Sequence, residues 1–368
     1  MNLLTSPRSL AKVSLFPLIS LDNAIYTMLL RRLFLHNHIS KLPLSLIRSA
    51  TTNIMACQKL DRSAAEKLIS ETDNFLFDCD GVLWDGHGAI PGSVDTIAHL
   101  KRLGKKVYYI TNNSSSSRED YKKKCLKYGF DADVGDIVCT AYVGALYLHN
   151  NNFKGKVYVV GNPAMGKELD KFNIKHTGIG PDEMVHEDDN INYSSRVEEW
   201  LKTQLDPEVN CVFVGFDPYI NYIKILKAAS YLQRENCLFL GTNEDTHLPT
   251  QGSDIVIPGT GTMVKAVSLP SRKKPLIIGK PETTMFDTLS QANNLDPARS
   301  MMVGDRMNTD IYMAKRCKLK SLLVLTGVCT EQDLPLNGVQ PKSFEAGIEL
   351  PDFYADKLGI FGEFIANL

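Results

Sequence analysis

Short apolar runs alternate with amphipathic stretches along the chain from residue 75 onward. A short apolar run bounded by polar residues is typical of a buried strand, whereas apolar residues three or four positions apart are typical of a helix with one buried face. Clear strand patterns occur at 75–77, 106–110, 275–278 and 300–303. Clear helix patterns occur at 93–103, 117–128, 163–172 and 221–234. This alternation predicts an α/β fold with a parallel sheet covered by helices.

The first strand pattern ends in two carboxylates. Asp78 and Asp80 lie one residue apart and are followed by Gly81. Side chains alternate along a strand, so both carboxylates would share a face, and a bend at the glycine would leave them at the C-terminal edge of the sheet, where open α/β sheets bind ligands. Neighbouring carboxylates repel, so a divalent cation with oxygen ligands is their simplest partner. A polar turn that only ends the strand is the alternative for this pair alone.

Three further strand patterns end in polar residues that complement this pair. They end in Thr-Asn-Asn, in Lys and in Gly-Asp, in that order along the chain. Together the four endings would place a nucleophile, hydroxyl and amide donors, a cation and further metal ligands at one sheet edge. Any single residue could instead cap a helix or lie on the surface, but the ordered set predicts one site. The added residues are Thr111, Asn112, Asn113, Lys280, Asp305 and Asp310.

These endings resemble the four motifs of the haloacid dehalogenase (HAD) superfamily of phosphatases. The chain is most similar to the branch of phosphoglycolate, 4-nitrophenyl phosphate and pyridoxal phosphate phosphatases. The resemblance runs from about residue 55 to the C-terminus and implies a Rossmann-like parallel-sheet core, an inserted α/β cap domain between the second and third motifs, and a homodimer formed through the caps. It rests on residues 80–84, 110–114, 215–218, 258–261, 279–281 and 302–306.

Motif spacing locates the inserted domain. Asp78 and Thr111 are separated by 33 positions, which fits one strand–helix–strand crossover, whereas Thr111 and Lys280 are separated by 169. An additional domain must therefore lie between the second and third motifs, with strands expected at 157–161, 211–216 and 238–241. The predicted division is an N-terminal extension at 1–54, a catalytic core at 55–153 and 249–368, and a cap at 154–248.

The resemblance implies a catalytic role for each residue of the first two motifs. Asp78 would be the nucleophile that becomes an aspartyl phosphate, and Asp80 would protonate the leaving oxygen and then deprotonate the attacking water. The Thr111 hydroxyl, Asn112 and Asn113 would hold phosphoryl oxygens. The implied reaction is hydrolysis of a phosphate monoester.

The same resemblance implies Mg²⁺ as the cofactor. Asp78 and Asp305 would bind the ion through carboxylate oxygens and Asp80 through its backbone carbonyl. Asp310 would be an outer-shell or an occasional direct ligand. Lys280 would neutralise charge on the phosphoryl group and on the nucleophile.

The cap is expected to select the substrate, because the four motifs recognise only a phosphoryl group. Asp217-Pro218-Tyr219 is the candidate cap loop. Relatives often carry histidine where this chain has Tyr219, which weakens any transfer of pyridoxal phosphate specificity, and Tyr219 could instead pack at the cap interface. The expected substrates are 2-phosphoglycolate and glycerol 3-phosphate. The alternatives are a pyridoxal phosphate phosphatase and a phosphoprotein phosphatase.

Related enzyme classes fit the sequence less well. A phosphomutase usually has its cap between the first two motifs, where this chain has too few residues, and a dehalogenase would not need Asp80. Net charge is −1, which predicts no nucleic-acid partner and no anionic membrane partner. The eight cysteines form no Cys-x-x-Cys pair, which is typical of a reducing compartment.

The N-terminal 54 residues differ in composition from the rest of the chain. Their basic residues outnumber their single acid, Asp22, as in a mitochondrial transit peptide. An upstream extension before Met55 explains the same pattern, so we expect a cytoplasmic location with a mitochondrial one as the alternative. The basic residues are Arg8, Lys12, Arg31, Arg32, Lys41 and Arg48.

Overall fold

The computed structural model describes residues 57–182, 193–248, 254–335 and 350–368, so the predicted extension at 1–54 lies outside the described residues. The apolar runs form strands in this part of the chain, and all of their pairings are parallel. The strands are β1 Gln58–Lys59, β2 Asn74–Asp78, β3 Lys106–Thr111, β4 Ile137–Cys139, β5 Lys156–Val160, β6 His176–Thr177, β7 Val209–Val214, β8 Leu238–Gly241, β9 Leu276–Ile277, β10 Ser300–Gly304, β11 Lys320–Val324 and β12 Phe353–Ala355.

Helices connect most of these strands, and local capping explains several of their boundaries. Ser117 begins one helix by accepting a hydrogen bond from the Asp120 amide, and Asn162 caps another from the position before Pro163. The helices of the described residues are α1 Arg62–Glu71, α2 Ser93–Arg102, α3 Arg118–Lys127, α4 Thr140–Asn150, α5 Pro163–Asp170, α6 Tyr193–Trp200, α7 Tyr222–Tyr231, α8 Thr260–Ser271, α9 Thr284–Asn293, α10 Tyr312–Arg316 and α11 Leu358–Ile365.

The larger sheet has the strand order β1-β12-β11-β10-β2-β3-β4. Its middle strands are buried along almost their whole length, as expected for a parallel sheet covered on both faces. Phe75 and Phe77 point to one face of β2 and lie 6.3 Å apart between ring centroids, while Leu76 points to the other. The predicted parallel α/β core is confirmed, with β2 and β10 adjacent near its centre.

A second parallel sheet has the order β6-β5-β7-β8-β9. The three strands expected in the inserted domain appear as β5, β7 and β8, each within two residues of its predicted bounds. Helix α8 packs against α7 beside this sheet. The inserted α/β domain between the second and third motifs is therefore confirmed, whereas its limits at 154–248 remain a prediction.

The position of β9 corrects one expectation. The run at 275–278 was predicted to end at the edge of the larger sheet, but Leu276 and Ile277 pair with Leu240 and Gly241 in the second sheet. An apolar run indicates a buried strand without indicating its neighbour, which explains the error. The second sheet thus includes residues beyond 248.

Among the described residues, no helix has the length and apolar character needed to cross a membrane.

Candidate active site

Three carboxylates gather at the C-terminal edge of the larger sheet. Asp78 ends β2, Asp305 directly follows β10, and Asp310 lies in a π-helical turn, Met307–Ile311. One carboxylate oxygen from each lies within 4.8 Å of the others. We call these three residues the acidic cluster. The structure therefore brings together three residues from the first and fourth motifs that the sequence predicted at one site.

Lys280 reaches the acidic cluster from the second sheet. It follows β9, is only 3 % exposed, and its Nζ lies 2.6 Å from Asp78 Oδ1 and 2.7 Å from Asp310 Oδ1. The predicted proximity to Asp78 is therefore found, although the lysine comes from the C-terminal edge of a different sheet. The two sheets present their strand ends to the same site.

Burial dominates the ionisation of this site. It raises the pKa of Asp78 well above its usual range, against the lowering effect of Lys280, and Asp310 raises it further. Burial, with the Asp310 carboxylate, also raises the pKa of Asp305 to about 6. Burial alone would lower the pKa of Lys280, yet the carboxylates of Asp310 and Asp78 outweigh it and the pKa rises. The lysine is thus held as a cation among carboxylates that favour added positive charge.

The surroundings of Asp305 fit a divalent cation. Its Oδ2 accepts a hydrogen bond from the Val328 amide at 2.8 Å, while its Oδ1 is buried and has no hydrogen-bond partner among the described residues. Gly81, at φ +87°, and Gly327 pack so closely that an added Cβ would lie 2.6 Å and 1.8 Å from Oδ2. An unpartnered buried carboxylate oxygen beside two further carboxylates is the hard oxygen donor set that Mg²⁺ prefers.

Asp80 stands apart from the acidic cluster. Its side chain is 57 % exposed, and its Oδ1 accepts a hydrogen bond from Trp84 Nε1 at 2.8 Å and lies 3.3 Å from Lys124 Nζ. Its carboxylate is not among the three clustered ones. The metal role predicted for Asp80 used the backbone carbonyl, and that role remains a prediction.

Thr111 is the last residue of β3, and Asn113 follows the strand at the same edge. Thr111 is buried, and its hydroxyl accepts a hydrogen bond from the Asn113 amide at 3.1 Å and lies 3.5 Å from the Tyr121 hydroxyl. The Asn113 side chain turns back to accept hydrogen bonds from the amide and hydroxyl of Ser115, both at 2.7 Å. These contacts fix the loop after β3, so its backbone and the Thr111 hydroxyl have defined positions beside the acidic cluster.

Asn112 makes contacts that its sequence position did not predict. Its Oδ1 accepts a hydrogen bond from the Lys280 amide at 2.8 Å, and its Nδ2 donates to the Lys280 carbonyl at 3.0 Å. Both ends of the side-chain amide are therefore used by the backbone of Lys280. In this structure the side chain fixes the position of the lysine, and the predicted contact of Asn112 with a phosphoryl oxygen stays a prediction.

Tyr219 lies on the loop that was predicted to face the substrate. Its side chain is 54 % exposed, and its amide donates a hydrogen bond to Asp217 Oδ1 at 2.9 Å. Asp217 is fully buried and pairs with the fully buried Lys224, with 2.5 Å between Oδ2 and Nζ. The loop is anchored through Asp217, and the substrate contact expected of Tyr219 stays a prediction.

Sequence reasoning missed the residues that join the second sheet to the loop after β3. Asn162, which follows β5, donates from Nδ2 to the carbonyls of Ser114 at 3.2 Å and Phe216 at 2.9 Å. The Ser114 hydroxyl accepts a hydrogen bond from the Phe216 amide at 3.2 Å. Asn243, which follows β8, donates to the Asn112 carbonyl at 2.9 Å. Strand ends of the second sheet therefore hold the loop of the second motif.

Asp245 is a further missed residue near the site. Burial raises its pKa, while the charges of Arg306 and Lys280 lower it. A usable signal was present, because Thr-Asn-Glu-Asp follows the strand at 238–241 just as Thr-Asn-Asn follows the strand at 106–110. Applying the strand-end rule to the second sheet would have found it.

Models of known protein families match this chain over the segments that contain the four motifs. A family model described as haloacid dehalogenase-like hydrolase matches residues 75–175, and one described as HAD-hydrolase-like matches residues 277–349. A glycerol-3-phosphate phosphatase of Mus musculus is 40 % identical over 82 % of this chain and 94 % of its own. A chloroplastic phosphoglycolate phosphatase 1A of Arabidopsis thaliana is 36 % identical over 86 % of this chain and 84 % of its own.

Solved structures give the same assignment of the fold. A glycerol phosphate phosphatase of Mycobacterium tuberculosis, solved in complex with magnesium, superposes with a TM-score of 0.62 at 24 % identity, over 80 % of this chain and 77 % of its own. HAD phosphatases are metal-dependent. Because the identity to full-length relatives reaches 40 % and the motif residues assemble at one site, the chain belongs to the haloacid dehalogenase-like hydrolase family and is one of its phosphatases.

Proposed function

We propose that the protein hydrolyses small phosphate monoesters in a Mg²⁺-dependent reaction with a covalent intermediate on Asp78. The proposed substrates are 2-phosphoglycolate and glycerol 3-phosphate, on which the named relatives act. The observation that carries the proposal is the acidic cluster with Lys280 Nζ 2.6 Å from Asp78 Oδ1. Buried ion pairs contribute little net stability, so such a cluster is typical of a functional site.

In the first proposed step, a carboxylate oxygen of Asp78 attacks phosphorus. The bond from phosphorus to the ester oxygen breaks, its electron pair stays on that oxygen, and Asp80 supplies the proton. In the second step, water attacks the same phosphorus and gives a proton to Asp80. The bond from phosphorus to Asp78 then breaks, which releases inorganic phosphate and restores both side chains.

Other residues of the site would hold charge and geometry during both steps. Lys280 places a fixed positive charge beside Asp78 and thereby reduces its repulsion of an anionic substrate. The Thr111 hydroxyl and the backbone after β3 are proposed to bind phosphoryl oxygens. Asn112 keeps Lys280 in place through its two backbone hydrogen bonds.

Mg²⁺ would be held by the carboxylates of Asp78, Asp305 and Asp310, with the backbone carbonyl of Asp80 as a proposed fourth ligand. When bound, the ion supplies positive charge that lowers repulsion between the carboxylates and the phosphoryl group. The unpartnered Oδ1 of Asp305 supports this assignment.

The contacts between the two sheets favour a small substrate over a protein. Loops from the second sheet hydrogen-bond Ser114, directly after the substrate-binding loop, through Asn162 and Phe216. A site bordered in this way by the inserted domain has less room for a folded protein surface than for a metabolite. Phosphotyrosine peptides and pyridoxal phosphate are therefore comparison substrates in the assay.

The test is phosphate release by the full-length protein with Mg²⁺ and with a chelator. The panel contains 2-phosphoglycolate, glycerol 3-phosphate, pyridoxal phosphate, 4-nitrophenyl phosphate and a phosphotyrosine peptide. We expect metal-dependent turnover that is fastest on 2-phosphoglycolate or glycerol 3-phosphate, and none with Asp78→Asn. Fastest turnover of pyridoxal phosphate or the peptide would replace the proposed substrate class, and metal-independent turnover would exclude the proposed mechanism.

We also propose a homodimer formed through the inserted domain. A groove of about 330 Å³ on this domain is lined mainly by apolar side chains, of which Val197, Leu201 and Tyr222 are exposed. Exposed apolar patches of this kind are typical of association sites. Light scattering should give a dimer mass for the wild type and a monomer mass for Leu201→Asp.

A cytoplasmic location also remains a proposal, which fractionation of cells would test.

A further inference from the structure

Two side chains hold the same oxygen of Asp80. Trp84 Nε1 donates a hydrogen bond to Asp80 Oδ1 at 2.8 Å, and Lys124 Nζ lies 3.3 Å from that atom. Asp80 Oδ2 has no hydrogen-bond partner in the described part of the chain. A carboxylate with one oxygen fixed and the other free has a defined orientation, although most of the side chain is exposed.

Trp84 is a rigid donor. It is fully buried, and its ring lies against Tyr128 at 5.8 Å and Phe130 at 5.7 Å between centroids. Its backbone closes the turn that carries Asp80, because the Trp84 amide donates to the Cys79 carbonyl at 3.2 Å and its carbonyl accepts from the Gly81 amide at 2.8 Å. The indole N–H therefore cannot follow a moving carboxylate. It holds Asp80 in one place.

Lys124 comes to Asp80 from helix α3. Its ammonium lies 4.7 Å from the centre of the Trp84 ring, so it is held between the ring and the carboxylate. Tyr121, three residues earlier on the same face of α3, places its hydroxyl 3.5 Å from the Thr111 hydroxyl. One helix face thus contacts both the proposed proton-transfer group and the loop of the second motif.

We propose that Trp84 and Lys124 are positioning residues for Asp80 that fix Oδ1 and direct Oδ2 toward the ester oxygen of the substrate. The inference rests on the proposed role of Asp80 as general acid and base. Neither positioning residue exchanges a proton with the substrate. Their effect is that the Asp80 proton starts within hydrogen-bond reach of the leaving oxygen, where proton transfer is efficient.

Two substrates with different leaving groups distinguish a positioning role of Trp84 and Lys124 from a purely structural role. An alkyl phosphate such as glycerol 3-phosphate has a strongly basic leaving oxygen that needs a proton as the P–O bond breaks. 4-Nitrophenyl phosphate releases a stable phenolate and needs little proton transfer. A misplaced Asp80 therefore slows cleavage of the alkyl ester more than that of the aryl ester. Loss of the Lys124 charge by itself would instead weaken the binding of both phosphate dianions to a similar extent.

The test measures kcat/KM for both esters with the full-length protein and saturating Mg²⁺. This parameter includes P–O cleavage even when a later step limits turnover. The variants are Trp84→Phe, which keeps an aromatic ring but lacks the N–H, Lys124→Met, and Asp80→Asn as the reference for complete loss. Lys123→Met is the matched control, because Lys123 lies on the same helix, is 79 % exposed and pairs with Asp120 instead.

We expect the ratio of alkyl to aryl kcat/KM to fall roughly tenfold in Trp84→Phe and about threefold or more in Lys124→Met. Both decreases are smaller than the roughly 100-fold or larger effect of general acid catalysis as a whole. The ratio should stay at the wild-type value in Lys123→Met. The Lys124 side chain is 37 % exposed, so Lys124→Met leaves no large cavity and remains informative even if Trp84→Phe does not fold.

Two results would overturn the inference. If Asp80→Asn lowers the ratio while Trp84→Phe and Lys124→Met leave it unchanged, Asp80 acts without these partners and the proposed function stands. If both variants slow the two esters equally, their role is structural. A wild-type protein that releases phosphate from neither ester would instead refute the proposed function, so the two failures are distinguishable.

Discussion

Replacing Lys280 with methionine should destabilise the protein much more than the loss of a surface ion pair. The ammonium is buried between Asp78 and Asp310, at 2.6 Å and 2.7 Å from one oxygen of each. Methionine has a similar length but no charge, so the three carboxylates of the acidic cluster would stay buried without their cation. Breaking a buried pair by removing one partner costs about 3–5 kcal/mol, and we expect a loss of unfolding free energy in this range.

A surface pair of equal length provides the matched control. Lys265 Nζ lies 2.6 Å from Glu244 Oε1, but the two side chains are 72 % and 47 % exposed. Water already solvates both charges, so Lys265→Met should cost less than about 1 kcal/mol. Equal distances and different exposure mean that the comparison isolates the effect of burial.

The assay is urea unfolding of both variants in chelator near pH 7.5, followed by circular dichroism. The difference between Lys280→Met and wild type should shrink as pH falls from 7.5 toward about 6, the pKa of Asp305 in the wild type. The lysine charge lowers the pKa of Asp305, so without it that pKa lies higher, and the folded variant takes up a proton and gains stability at a higher pH than the wild type. A loss at pH 7.5 no larger than that of Lys265→Met would refute the reasoning that burial makes this lysine indispensable.

Three other substitutions or reagents test separate contacts. Gly327→Ala should weaken Mg²⁺ activation about 10–100-fold, because the new Cβ would overlap Asp305 Oδ2, whereas Gly135→Ala has open space and should not change it. Asn112→Asp should lower kcat about tenfold or more without abolishing folding, because an oxygen would replace the donor to the backbone carbonyl of the cluster lysine. Iodoacetamide should modify the native protein slowly and Cys237 first, since burial raises the pKa of Cys237 to about 11 and the other cysteines are buried; mass spectrometry would reveal a faster site.

The acidic cluster could be predicted because its signals are local. Asp78 directly follows an apolar run and Asp305 follows another after Gly304, and neighbouring parallel strands bring their C-terminal ends to one edge. The register of β2 and β10 pairs Phe77 with Val303, so the two strands end at the same level and bring the aspartates together. The sequence contained both the strands and the residues after them.

The partners of these residues could not be predicted in the same way. Lys280 follows a strand of only two residues, and its sheet is decided by pairing with β8, whose partner residues lie 36 positions earlier. The Asn112 side chain binds a backbone 168 positions away, which no spacing rule indicates. Trp84 is only four positions from Asp80, but its indole reaches the carboxylate because the turn at Gly81 folds back. Local patterns identify groups, and tertiary pairing decides what each group contacts.

The charged groups of the active site are divided between the two sheets, so the site forms only when both sheets are in contact. Asp78 belongs to the larger sheet, whereas Lys280 follows a strand of the second, so the nucleophile and its counter-ion meet only where the two sheets meet. Separating the sheets would break the ion pairs of Lys280 with Asp78 and Asp310 and the two hydrogen bonds between Asn112 and the lysine backbone. Water would then solvate the separated charges, so the ion pairs themselves contribute little net stability to this contact. The charge balance that prepares Asp78 for attack on phosphorus therefore exists only while the second sheet lies against the larger one.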